Sequence, residues 1–394
     1  QTLSFVSIVS NLLLVGMIEW LVIIGFVSTL LGVIYSPLGY LGIKACYFIL
    51  ILFLKMIDLL LKIPISMLYL IKLPQLLGLL FTLGISFIFS QFDLNKPLKN
   101  RIIKYSLLTA PCLLFIFYFN KTIPNKYMKI TYFDVHQGDS CLIETPTGKT
   151  ILIDTGKSDR KNPSLNMGKK IIGPALISKG INKLDMVIIT HYDIDHIGGL
   201  PFIINNFSVS TLIDNGRFNL NKYKFPKQFE KNLKSKKISI KQSKTGTINF
   251  EKNLFLQFFA IFNEKEINAL SENNASVIFK LTFNSFTALF TGDLEEKGEM
   301  NLAKQFKNKL QSDVYKCGHH GSKTSSSSEL LKEVRPQLSV ISAGQKNRYG
   351  HPSPSVLNTL KTFNSFIIST KVNGAIEILT DGDRYYVKPF IGDW

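Results

Sequence analysis

The sequence predicts an α+β domain carried behind an all-α, multi-pass transmembrane region. Three observations predict it. Roughly the first 120 residues are close to continuously apolar, while the remainder is ordinary soluble sequence with many Lys and Asn. From Met128 onward, short runs that alternate at period two are separated by Gly, Asp and Asn turn signals, the pattern of strands. Several of those runs end in Asp, His or Gly, which mounts polar chemistry on rigid strand ends. At 394 residues two or three domains are expected, and the change of composition divides the chain into 1–124 and 125–394.

The apolar part is read first. From Leu3 to Tyr35 the only charged residue is Glu19, beside Trp20. That run is too long for one span, so two are expected, broken near Met17 to Trp20. A third candidate runs from Leu41 to Leu61 and carries Lys44, Lys55 and Asp58, the last two on one helical face. Ile63 to Pro74 reads as a short broken segment, because each proline disfavours helix at the residue before it. Leu77 to Ser90 and Tyr105 to Tyr118 would span again, making about five hydrophobic segments. Between them Gln91 to Lys104 is a polar linker with Lys96, Lys99, Arg101 and Lys104, which the preference of basic loops for the cytoplasm places inside. Everything after Asn120 would then be extracytoplasmic, although Lys121, Lys126 and Lys129 weigh the other way. Gln1 is not an initiator methionine, and the chain opens inside apolar sequence, as a piece of a longer membrane protein would.

The soluble part follows. Lys129 to Val135 alternates at period two, Cys141 to Glu144 follows a turn at Gln137-Gly138-Asp139, and Thr150 to Gly156 reads as another buried strand ending in Asp154 and then Gly156. A helix over about Lys170 to Lys179 precedes the apolar strand Leu184 to Ile189. That strand leads into Thr190-His191-Tyr192-Asp193-Ile194-Asp195-His196-Ile197-Gly198-Gly199, four potential metal ligands within six residues. Strand alternation lets His191 and Asp193 point one way while Tyr192 and Ile194 point elsewhere. Imidazole and carboxylate together suit a divalent cation. Lys222 to Lys244 holds nine lysines and reads as a solvated face rather than a core element. Ser276 to Phe283 is strand-like and leads to Thr287 to Asp293, a buried strand that ends in Gly292-Asp293. Val314 to Lys316 leads into Cys317-Gly318-His319-His320-Gly321-Ser322, and His351 lies in the loop Tyr349-Gly350-His351-Pro352. Five of the six histidines therefore occupy strand ends or loops, and with Asp154 and Asp293 they make a set sized for two ions.

The formal net charge of +18 favours polyanionic partners: nucleic acid, anionic lipid or cell-wall polymer. Cys46, Cys112, Cys141 and Cys317 show no Cys-x-x-Cys spacing, so neither a zinc ribbon nor a disulfide framework is indicated. Cys141 reads as core.

Strand-Asp-Thr-Gly, His-x-Asp-x-Asp-His-x-Gly-Gly, Thr-Gly-Asp and Gly-His-His-Gly-Ser, in this order, resemble the metallo-β-lactamase-like domain of ComEC-like DNA-internalization competence proteins. Val135 to Asp139, Asn274-Ala275-Ser276 and Tyr349 to Pro352 look like further signatures of that family. The resemblance covers residues 128–394, and the membrane part, with Asn11 to Val15, looks like the end of the family's channel domain. It implies an αββα sandwich with metals at the strand ends.

His191, Asp193, Asp195, His196, Asp293 and one of the His319–His320 pair, taken as His320, would be the metal ligands, with Asp293 bridging two ions. Asp154 and Asp139 would stand behind the ligands and orient them. Asp195 would serve catalysis as a ligand of the water-activating ion, and His319 or His351 would protonate the leaving alkoxide or hold a phosphate. Asn274, Ser276, Ser322 and Lys323 would face the substrate. Two departures stand out. Asn273 to Ser276 occupies the place where the superfamily commonly has a third histidine for the first metal, and Asp193 stands where many relatives have His. The harder, oxygen-rich set favours manganese, with magnesium or zinc as alternatives, one or two ions in all.

The implied function is a nuclease that hydrolyses phosphodiesters of incoming DNA, outside a bacterial cell membrane, while the other strand passes a channel. DNA, the membrane and other DNA-uptake components would be its partners. Two rivals come from other classes. One is a membrane-anchored small-substrate esterase or lactonase of the same fold, which would need a compact apolar pocket. The other is a catalytically weak module that guides DNA into the channel.

Overall fold

The computed structural model describes residues 2–3, 5–61, 68–69, 126–159, 165–217, 225, 227–262, 266 and 269–392. The chain divides into two compact units, Gln1–Ile123 and Pro124–Trp394.

In the first unit β1 (Thr2–Leu3) pairs antiparallel with β2 (Leu68–Tyr69), and α1 (Phe5–Ile34) turns back into α2 (Ser36–Leu61). The expected break near Met17 to Trp20 does not occur; α1 runs unbroken for 30 residues. A single carboxylate removes no backbone hydrogen bond, so Glu19 cannot end a helix. The turn comes instead at Tyr35, before Ser36-Pro37, where proline fits the first turn of the next helix. The two helices approach through small residues: a Cβ on Gly39 would collide with the backbone of Gly32, and one on Gly42 with Ser28. Lys44 Nζ sits 4.7 Å from the ring centre of Tyr40. Among the described residues, Ser36–Met56 is the one helix segment long and apolar enough to cross a membrane, and Leu21–Ile34 is a shorter apolar stretch. The multi-pass expectation is represented here by that one segment. The stretch 63–74, the spans 77–90 and 105–118, the linker 91–104 and the side chain of Asp58 lie outside the described residues.

The second unit is a four-layer sandwich. One sheet holds β3 (Met128–Tyr132), β4 (Cys141–Glu144), β5 (Thr150–Ile153), β6 (Lys183–Ile188), β7 (Ser208–Asp214) and β8 (Ser239–Gln242) in sequence order. The other runs from β9 (Gly246–Glu251) through β10 (Leu254–Phe258), β11 (Phe279–Phe283), β12 (Phe286–Phe290) and β13 (Val314–Lys316) to β14 (Leu338–Ile341) and β15 (Phe366–Ser369). The last two strands, β16 (Ile376–Thr380) and β17 (Tyr385–Pro389), return to the first sheet beside β3. In each sheet antiparallel strands give way to parallel ones: β5 to β8 in the first, β12 to β15 in the second.

Period-two alternation builds the layers. Ile151 and Ile153 of β5 face the space between the sheets, where they meet Phe279 and Phe290, whose rings stack at 4.9 Å. Leu152 faces outward, against Leu176, Leu200 and Ile203 of the helices covering the first sheet. On the second sheet Leu289 and Tyr315 face the helices Glu296–Phe306, Ser328–Val334 and Pro354–Thr362. The αββα expectation holds. In the lysine-rich stretch Lys231, Lys234, Lys236, Lys237, Lys241 and Lys244 are exposed, while the amphipathic helix Lys227–Ser235 buries Phe229 and Leu233 on its other side and is followed by edge strand β8. Lys236 Nζ donates to the carbonyls of Ile204, Asn205 and Phe207, a cation set at a helix carboxyl end.

Candidate metal centre

Both sheets present the carboxyl ends of their parallel strands to one place. Asp154 follows β5, His191 to His196 follow β6, Asp293 follows β12, His319 and His320 follow β13, and the loop carrying Tyr349 and His351 follows β14. Parallel strands covered on both faces leave this edge as the place for ligands.

The geometry centres on one oxygen. Asp293 Oδ2 lies 3.3 Å from His196 Nε2, 3.4 Å from His320 Nε2, and 4.0 Å from both His191 Nε2 and His319 Nε2. His320 Nε2 is also 3.3 Å from Asp195 Oδ2, and His191 Nε2 is 3.7 Å from Asp193 Oδ2. The far nitrogens are fixed by neighbours. His196 Nδ1 meets Asp154 Oδ2 at 2.8 Å, His320 Nδ1 meets the Ser342 carbonyl at 3.1 Å, and His191 Nδ1 lies 3.1 Å from Thr190 Oγ1. Asp154 is in turn held by Thr190, whose backbone N–H and hydroxyl donate at 2.8 and 2.7 Å. Each imidazole therefore aims Nε2 at the centre, the arrangement in which outer hydrogen bonds orient metal ligands.

His191 Nε2, His196 Nε2, His320 Nε2 and Asp293 Oδ1 are buried with no hydrogen-bond partner among the described residues. Leaving several buried polar atoms unpaired is costly unless something else binds them. Burial opposes charge on Asp293, yet the surrounding His196 and His320 hold its carboxyl well below the usual range. Burial likewise disfavours the His196 cation, but Asp293 and Asp154 raise its proton affinity well above the ordinary value. The charge balance and the unpaired nitrogens fit a divalent cation, which would take the place of those protons.

Asp139, His196, Asp293 and His320 each bring a ligand atom within 4.8 Å of the others. Asp139 joins them from behind: its Oδ1 is 3.8 Å from His320 Nδ1, the nitrogen that faces away from Asp293, and its Oδ2 pairs with Lys316 Nζ at 2.8 Å. Asp139 therefore contacts His320 on the side opposite Asp293. Gly138 lets this loop close on the site, since a Cβ there would strike the Asp195 carbonyl.

A model of the metallo-β-lactamase superfamily matches residues 133–345, over half of the chain. The chain belongs to the metallo-β-lactamase superfamily. Across 268 residues it is 31% identical to ComE operon protein 3 of Bacillus subtilis, covering 63% of this chain and 32% of that protein. It is 28% identical over 263 residues to competence protein ComA of Neisseria gonorrhoeae, covering 67% and 34%. It is 29% identical over 303 residues to recombination protein 2 of Haemophilus influenzae, covering 76% and 35%. The chain spans about a third of the length of these curated relatives. The similarity to ComEC-like competence proteins read from the motifs holds in them.

Within this metallo-β-lactamase unit, His191, Asp193, Asp195, His196, Asp293 and His320 come together. His319 does so from the rim: its side chain is 24% exposed and its Nδ1 lies 3.3 Å from Thr324 Oγ1. The amide of Asn274 is engaged by Glu295: its oxygen accepts from Glu295 N–H at 3.3 Å and its nitrogen donates to Glu295 Oε2 at 2.8 Å. Ser276 Oγ accepts from the Asp293 N–H at 3.0 Å, so it helps to position Asp293. Ser322 Oγ lies 3.1 Å from Thr324 Oγ1, and Lys323 is exposed beside it. His351 is half-buried, and burial together with the nearby His320 and His319 pushes its pKa down to about 4.

Two features escaped the sequence reading. Lys316 ends β13 fully buried, and only its place in a strand of three buried residues, VYK, signals that it must meet a counter-charge. The second is backbone: His319 and His320 both have left-handed φ, 46° and 55°, a conformation costing on the order of 1–2 kcal/mol per residue. The turn is held by Ser325 Oγ on the Gly318 carbonyl at 2.7 Å and by His319 N–H on the Gly292 carbonyl at 3.2 Å.

Proposed function

We propose that this chain is a metal-dependent phosphodiester hydrolase acting on DNA, a nuclease coupled to a membrane channel for uptake of single-stranded DNA. The observation that carries the reading is the convergence of four histidine Nε2 atoms within 4.0 Å of the single oxygen Asp293 Oδ2. That convergence supports Asp293 as a carboxylate shared between two ions. His196, His320, Asp195 and Asp293 would hold one ion, and His191, Asp193 and Asp293 the other. Bound ions supply an activated water and neutralise charge on the in-line oxygens of a phosphodiester. The chain's own groups do the rest. Asp154 and Ser342 keep His196 and His320 aimed inward, His319 at the rim is placed to meet a leaving oxygen, and Lys323 adds positive charge for a phosphate. The net charge of +18 and the competence-protein relatives support DNA as the substrate.

Manganese is the favoured ion, because the amide of Asn274 is already bonded to Glu295 and leaves the first position with His191 as its one nitrogen ligand among largely oxygen donors. The same observation supports a second reading, in which that ion binds weakly and the unit guides DNA without cutting it. Incubating the purified chain with labelled DNA and manganese, magnesium or zinc separates the two. Cleavage is expected with manganese, weaker with magnesium, and lost by at least a hundredfold in Asp195→Asn with DNA binding retained. Retained binding without cleavage under any metal would establish the guiding module instead.

A further inference from the structure

A column of flat groups leads from the metal centre to solvent. The ring of His351 lies 6.3 Å from that of His320, 26° from parallel, and 5.8 Å from His319. Tyr349 stacks on His351 at 5.7 Å and 24°, and is 58% exposed. Arg348 completes the series, its guanidinium carbon 5.3 Å from the Tyr349 ring centre and Nη2 3.3 Å from the phenol oxygen.

A ring so exposed adds little to the core, yet its loop is tied down. Asn347 Nδ2 donates to the carbonyls of Gly344 and His351 at 2.7 and 2.8 Å, and its Oδ1 accepts from the His351 N–H at 2.8 Å. Lys371 Nζ adds a bond to the His351 carbonyl at 3.1 Å. The ordering cost of presenting Tyr349 is thus met before any ligand arrives.

The ligand that suits an exposed aromatic face, flanked by a guanidinium and starting beside a phosphodiester site, is an unpaired nucleobase. Every base has a π-face, so stacking tolerates any sequence. Arg348 is exposed and anchored to Tyr349 by one long hydrogen bond, so it can leave the ring for a phosphate, where a guanidinium binds bidentately. In a duplex the bases are already stacked on one another and unavailable.

We propose that Tyr349 is the stacking platform for the nucleobase next to the scissile phosphate and that Arg348 clamps the neighbouring phosphate, which makes single-stranded DNA the substrate class. This rests on the phosphodiesterase reading above. The test is fluorescence anisotropy on the full chain in detergent, without metal, using labelled oligothymidine and an oligonucleotide of the same length made of abasic residues. The wild type should bind oligothymidine about tenfold more tightly than the abasic strand. Tyr349→Ala should bring that ratio close to one, while Tyr349→Phe and Tyr349→Trp keep it. Arg348→Ala should weaken both strands and flatten the salt dependence. A ratio unchanged in Tyr349→Ala, or a wild type indifferent to the bases, overturns the platform. Parallel cleavage assays separate the two claims. A base preference lost in Tyr349→Ala without cleavage under any metal keeps the platform and sinks the nuclease. Cleavage with an unchanged ratio does the reverse.

Discussion

At the scale of single residues the centre is asymmetric. Around His320, two carboxylates lie within 3.4 Å of Nε2, from Asp195 and Asp293. Around His191 the nearest carboxylate oxygens are at 3.7 and 4.0 Å, and Asn274, standing where a histidine is common in the superfamily, has its amide bonded to Glu295. Replacing an oxygen donor by a nitrogen softens the ligand set and moves its preference toward zinc. Asp193→His is therefore expected to shift the optimum from manganese toward zinc, read both as the ratio of DNA cleavage rates and as zinc retained through dialysis. A wild-type protein that holds two zinc ions and cleaves best in that form would end this account of Asp193 and Asn274.

At the scale of elements, the helix Glu296–Phe306 governs the His319–His320 turn from a distance. Glu299 is buried and accepts from Ser326 N–H and Ser327 N–H, each at 2.7 Å, with the Tyr315 hydroxyl at 3.4 Å. Tyr315 in turn accepts from the Gly318 N–H at 3.3 Å, the first residue of the strained turn. Burial pushes the Glu299 carboxyl up to about 7, against the pull of those donors. Because that pKa lies above the unfolded one, the native state holds the extra proton. The associated stability is complete below the unfolded value and is lost as pH rises through about 7. Glu299→Gln removes the titration, so between pH 5 and 8 the wild type should lose about 3 kcal/mol relative to the variant. Urea midpoints of both proteins across that range measure it, and parallel pH profiles would show that Glu299 does not titrate there.

At the scale of the whole molecule, the charge of +18 sets how the chain meets its partner. Lysine–phosphate contacts release counterions, so DNA affinity is expected to fall steeply with salt. We further propose that residues 1–124 form the end of a membrane channel region and that the unit from residue 125 onward is extracytoplasmic, from the basic stretch Gln91 to Lys104. An impermeant thiol reagent should label a cysteine introduced near Lys236 on intact cells. Protection there, with labelling near Lys99, would reverse the orientation and remove external DNA as the substrate.

The sequence by itself determined the strand-end chemistry of this protein. Short apolar runs mark the starts of β4, β5 and β12 to within a residue, and the last two lead into the Asp or Gly of the site, because apolar runs and turn chemistry are local properties. It also shows two compositions, apolar and soluble, along one chain. The tertiary structure alone decided the rest. Which of two adjacent histidines aims its Nε2 at Asp195 depends on a turn with left-handed backbone, held by the Gly292 carbonyl and the Ser325 hydroxyl. The partner of buried Lys316 is Asp139, 177 positions away in sequence, and the pair exists only because two sheets bring β13 and the loop after β3 together. The exposed face of Tyr349 likewise depends on distant partners, through Lys371 on the His351 carbonyl. A sequence states which donors are available at each strand end; only the closing of one sheet on the other decides which of them share an ion.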